Sequence, residues 1–86
     1  MASELTFTKN GSRYEAEIIS AGDPITVQVD RSEKQDLTVY GAIDGMEQVA
    51  LFTTSILQNV LFQIDVPEGL KVKIVSWAPV TSAKTI

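Results

Sequence analysis

The chain has 86 residues, seven basic against eleven acidic side chains for a formal charge of −4, and 44% hydrophobic residues. It contains neither cysteine nor histidine, which removes a disulfide framework, thiolate or imidazole metal ligation and the usual general base, and leaves the redox compartment open. One domain spanning 1–86 is the most this length supports, and basic residues this scattered, with only Lys71 and Lys73 sharing a strand face, argue against nucleic acid and against anionic membranes as partners.

The opening Met1-Ala2-Ser3-Glu4-Leu5 has no basic stretch or apolar core of a secretory signal, and strand-like alternation begins at once. Asn10-Gly11 suits the two φ > 0 positions of a type I′ hairpin turn. With that turn Phe7 lies opposite Tyr14 and Leu5 opposite Ala16, while Thr8 meets Arg13 and Thr6 meets Glu15 on the polar face. Asn10-Gly11-Ser12 also satisfies a glycosylation sequon, but turn formation accounts for it in full.

Pro24 leads into a third strand, where Ile25, Val27 and Val29 alternate with Thr26, Gln28 and Asp30. Residues 31–36 (Arg-Ser-Glu-Lys-Gln-Asp) are polar throughout and read as a solvated loop. Leu37 to Ile43 and Met46 to Thr53 form a hairpin closed by Asp44-Gly45. One face carries Leu37, Val39, Ile43, Met46, Ala50 and Phe52, and the other still carries Tyr40, Val49 and Leu51. Strands apolar on both faces are usually covered on both, and in so short a chain a second subunit is the simplest cover.

Thr53 to Val66 has two readings. Ser55 with Gln58 makes a capping-box pattern that starts a short helix within 55–64. The strict alternation of Val60, Phe62, Ile64 and Val66 with Leu61, Gln63 and Asp65 instead predicts a loop over 53–58 and then a strand, and this second reading is preferred. Pro67-Glu68-Gly69 turns the chain into a strand from Leu70 to Trp77, with Leu70, Val72 and Ile74 on one face. The tail 80–86 either adds a short strand or stays disordered. Short runs with frequent turns make an all-β fold, a small β-sandwich of about seven antiparallel strands. No apolar run reaches the length of a membrane span, so a soluble protein is expected, with its compartment undetermined.

No constellation carries chemistry. The acidic residues sit in turns or at outward strand positions such as Glu15, Glu17, Asp30 and Asp65, the turn acids Asp23, Asp36 and Asp44 lack calcium-ligand spacing, and Ser and Thr have no activating base. No enzyme activity, catalytic residue, metal site or cofactor is therefore expected. Tyr40, Val49, Leu51 and Trp77 are the residues expected at a homo-oligomer interface. The alternative is a carbohydrate-binding module in which Tyr40 and Trp77 stack on a saccharide.

Two stretches carry a resemblance. Ser3-Glu4-Leu5-Thr6-Phe7-Thr8-Lys9, running through its turn into Tyr14-Glu15-Ala16-Glu17, and Asp65 through Ser76 are together similar to small β-sandwich structural proteins of tailed phages and prophages of gut bacteria. The resemblance implies a virion-associated or decoration role, exercised by self-association and docking on a larger assembly of protein partners. It brings no catalytic residue.

Overall fold

The computed structural model describes residues 2–86. The described chain is all-β: β1 Ser3–Glu4, β2 Thr8–Asn10, β3 Arg13–Ile19, β4 Ile25–Arg31, β5 Leu37–Ala42, β6 Val49–Thr53, β7 Val60–Ile64, β8 Lys71–Ser76 and β9 Val80–Thr85. They form two antiparallel sheets packed as a sandwich, one in the order β1-β9-β4-β7 and the other β2-β3-β8-β5-β6. Seven strands of five to seven residues carry the fold, and β1 and β2 add two short pieces. The capping-box pattern at Ser55 makes no helix. Residues 54–59 are a loop and β7 follows, since the alternating apolar residues can be buried only in a strand.

Period-2 alternation places the core. Val27 and Val29 of β4, Leu37 and Val39 of β5, Val60 and Ile64 of β7, Val72 and Ile74 of β8 and Ala83 of β9 form one buried cluster between the sheets. The tail strand β9 is internal, hydrogen-bonded between β1 and β4.

Both predicted hairpins form with corrected registers. The first pairs Thr8 with Glu15, Lys9 with Tyr14 and Asn10 with Arg13, a slip of two from the type I′ prediction. The slip keeps Tyr14 and Ala16 on the inward face, because two residues is one full side-chain period. Gly11, at φ 65°, is the first central residue of this turn, and among the described residues none other than glycine has positive φ; this is the glycine place of a type II′ turn. Leu5 does not pair with Ala16. Its N–H donates to the Ala83 carbonyl at 3.0 Å, and Leu5 to Phe7 carry the chain from one sheet to the other.

The second hairpin does not close at Asp44-Gly45. A turn does form there, with Met46 N–H on the Ile43 carbonyl at 2.9 Å and Gly45 at φ 85°. Strand pairing, however, resumes only at Gly41 with Val49, then Tyr40 with Ala50 and Val39 with Phe52, which leaves Leu51 as a bulge. The predicted faces change accordingly. Val49 and Phe52 stand on the inward face, opposite Gly41 and Val39, and Ala50 stands on the outward face opposite Tyr40.

The predicted solvated loop at 31–36 also needs correction. Arg31 closes β4 on the inward phase of Ile25, Val27 and Val29, and it is only 1% exposed. All five of its side-chain N–H donors are used. Nε donates to the Gln58 carbonyl (3.1 Å), Nη1 to the Asp36 carbonyl (3.0 Å) and Ser76 Oγ (3.4 Å), and Nη2 to the carbonyls of Gln35 (2.7 Å) and Leu57. Burial pushes the Arg31 pKa down, and the nearby Asp36 carboxylate works against that shift. This single side chain ties β4 to the loops that follow β4 and β6 and to the end of β8.

Candidate interaction surface

The connections divide the edges of the sandwich into two sides. Only three residues separate β1 from β2, so these edge strands of the two sheets adjoin. At the far side lie β6 and β7, the opposite edges, joined by residues 54–59 and by an edge-to-face contact between Phe52 and Phe62 with centroids 5.6 Å apart. Every residue of β6 is exposed.

Eleven large apolar side chains are exposed among the described residues, and eight of them fall between Ile43 and Leu61. The exposed apolar surface therefore belongs mainly to one side of the molecule. From Gln48 to Ile64 the chain has neither a charged residue nor a proline, the two devices that most often protect a sheet edge from pairing with another chain. On β5, Gly41 shares the core face with Leu37 and Val39 and is buried. A groove of about 230 Å³ opens beside it, walled by Ile43, Met46, Val49, Leu51 and Leu70, with Glu47 as its one charged lining residue. The missing side chain of Gly41 lets Leu51 and Leu70 pack against its backbone: a Cβ at that position would sit 3.0 Å from Leu51 Cδ1 and 3.3 Å from Leu70 Cδ2.

The four residues predicted at an interface are not gathered in one place. Val49 and Leu51 meet in the groove. Tyr40 stands on the opposite, outward face of the same sheet, half-buried and between Lys73 of β8 and Ala50 of β6. Trp77 follows β8 at the far end of the sheet, four residues beyond Lys73, which is roughly 13 Å at about 3.3 Å per residue. It is 45% exposed, with the Arg13 guanidinium 5.9 Å from its ring centroid. Tyr40 and Trp77 are thus well separated, and a cation already covers the indole.

Between them the outward face is ionic. Glu15 lies 2.9 Å from Arg13 and 3.6 Å from Lys73, and Glu17 lies 3.7 Å from Lys73. The Arg13 approach to Glu15 Oε2 is off the hydrogen-bond line, which leaves that buried oxygen without a donor. Val75, directly opposite Glu15 in the β3–β8 register, is buried although it belongs to the outward phase.

Sequence reasoning does not place Ile43, Met46, Ile56, Leu57 or Leu61 at the interface, yet all of them are exposed. The signal that marks Ile56, Leu57 and Leu61 is the uncharged stretch 48–64, longer than any one strand, whereas Ile43 and Met46 lie before it, beside Asp44 and Glu47. Among the described residues no three acidic side chains converge as metal ligands, and no helix is long and apolar enough to cross a membrane. Comparison with protein-family models, with curated proteins and with solved structures gives no match.

Proposed function

We propose that the protein is a non-catalytic structural module that acts by self-association through its β6–β7 side and by docking in a larger protein assembly. The observation that carries this reading is the concentration of exposed apolar side chains on that one side, six of the eight in a stretch, residues 48–64, without charge or proline. Single exposed apolar residues are ordinary on a protein surface, whereas a contiguous patch marks an interaction surface. The similarity of the opening and closing stretches to phage structural proteins supports the same class of role and would place it in a virion.

Light scattering coupled to size exclusion, over a concentration series, tests the proposal. A stable oligomer is expected, and Val49→Asp should weaken its association at least tenfold while the melting temperature of the monomer is kept, because Val49 is 66% exposed. A monomer at every concentration would sink self-association. In that case tryptophan fluorescence titration over a saccharide panel becomes the deciding measurement, with Tyr40 and Trp77 as the alternative stacking residues.

A further inference from the structure

The two edges on the β6–β7 side differ in a way that bears on how a partner is met. β6 carries the bulge at Leu51, and a bulge twists an edge away from regular pairing. β7 is different. It pairs with β4 in unbroken register from Ile25–Ile64 to Val29–Val60, and among the described residues no backbone hydrogen bond from outside its sheet reaches Val60–Ile64. Its sequence, Val60-Leu61-Phe62-Gln63-Ile64, holds neither charge nor proline. It is a regular edge strand with an open row of amides and carbonyls.

We infer that β7 pairs antiparallel with β7 of a second copy of this chain about a twofold axis, joining the two four-stranded sheets into one sheet of eight. The inference rests on the self-association proposed above and names its partner and geometry. Three observations favour a second copy over an unrelated chain. The edge is self-complementary, because an uncharged strand meets no like charge across a twofold axis. Opposed residues of an antiparallel pair point to the same face, so the inward Val60, Phe62 and Ile64 must face inward residues. Centring the axis on Phe62 satisfies this, with Val60 opposite Ile64 of the second copy and Leu61 opposite its Gln63.

The third observation is size. On a molecule of 32 × 30 × 21 Å even the smallest bounding face is about 30 Å by 21 Å. That is about 600 Å², the lower limit per partner for a stable interface of about 1,200 Å² in total. The same axis brings the two β6 strands face to face. There Val49 and Leu51 contribute side-chain contact and the bulge keeps a second ladder from forming. Phe52 and Phe62, already in contact across the sandwich, come to lie at the centre of the joined core.

Amide hydrogen exchange on the unmodified protein, from dilute to concentrated solution, is the test, run beside the mass measurement. The outward amides of residues 60–64 should slow at least tenfold as dimer forms, while those of β2 on the opposite side should not change. The double variant Leu61→Cys/Gln63→Cys, in a chain with no other cysteine, should oxidise to a covalent dimer, and Lys9→Cys on β2 should not. An oligomer with freely exchanging β7 amides and no cross-link, or an oligomer of odd number, overturns the twofold pairing and leaves self-association standing. A persistent monomer overturns both. Should the cysteine variant not fold, the exchange measurement on the native chain decides alone.

Discussion

The two sides of the sandwich end their sheets in opposite ways. On one, β1 and β2 are two and three residues long, reading Ser-Glu and Thr-Lys-Asn, and every position is exposed and polar. Glu4 reaches Lys84 only at 3.9 Å and with both side chains well exposed, so its value there lies in charge and solvation, not in a strong ion pair. Short, charged edges are how natural sheets refuse further strands. On the other side β6 and β7 are five residues each, largely apolar and uncharged. The chain blunts both edges on one side and leaves β7 on the other regular and uncharged, and the proposed self-association would take its direction from that difference. That asymmetry is more informative than total hydrophobic content, which is ordinary.

The open side also depends on a buried charge for its shape. Arg31 holds the carbonyls of Leu57 and Gln58, and so anchors the loop between β6 and β7 that presents Ile56 and Leu57 to solvent. Of the substitutions that probe this contrast, Arg31→Ala should have the largest effect. It takes a donor from four backbone carbonyls, at about 1–3 kcal/mol for each one left buried and unpaired, against a total stability of roughly 5–15 kcal/mol for a small domain. Urea denaturation should find the variant largely unfolded. Arg31→Lys keeps the charge but supplies three donors from one point in place of a planar fork, so it should recover only part of that loss.

Breaking the contrast from the closed side is a subtler test. Lys9→Val removes the only charge of β2 and should leave folding intact to within about 0.5 kcal/mol. It should also open a second pairing edge, read as species larger than the wild-type oligomer in light scattering. An unchanged mass distribution would mean that shortness of β2, and not its lysine, keeps that side closed. The smallest expected effect is on the ionic outward face. Glu15→Gln loses its ion pairs with Arg13 and Lys73, worth roughly 0.5–1 kcal/mol. It should lower the melting temperature by a few degrees at low salt, and by less in high salt.

Much of this fold is legible in residue patterns, and the exceptions have identifiable causes. The alternation in β4 and β7 predicts their inward residues correctly, because burial of one face enforces a period of two. The two hairpin registers escape such reading because turn dipeptides mark where a chain reverses but not which residues pair beside the reversal. Tertiary packing chooses a loop from Ile43 to Gln48 and a bulge at Leu51 over the shortest closure. Polarity alone assigns Arg31 to a loop, although it continues the inward phase of Ile25, Val27 and Val29. A rule that arginine is exposed misses a site where five donors meet five acceptors.

For the interaction surface, Val49 and Leu51 are identifiable as apolar residues in excess of one core. Their separation from Tyr40 and Trp77 is not, since it depends on which face and which end of the sheet each occupies. By itself the sequence determined fold class, the core phase of β4 and β7 and the absence of thiol and imidazole groups, because these follow from residue type and local period. Only the tertiary structure decided which strands lie at the edges, that the two uncharged edges share a side, and where Arg31 finds its acceptors. Those are consequences of contacts between residues far apart in the chain, and local patterns hold no record of them.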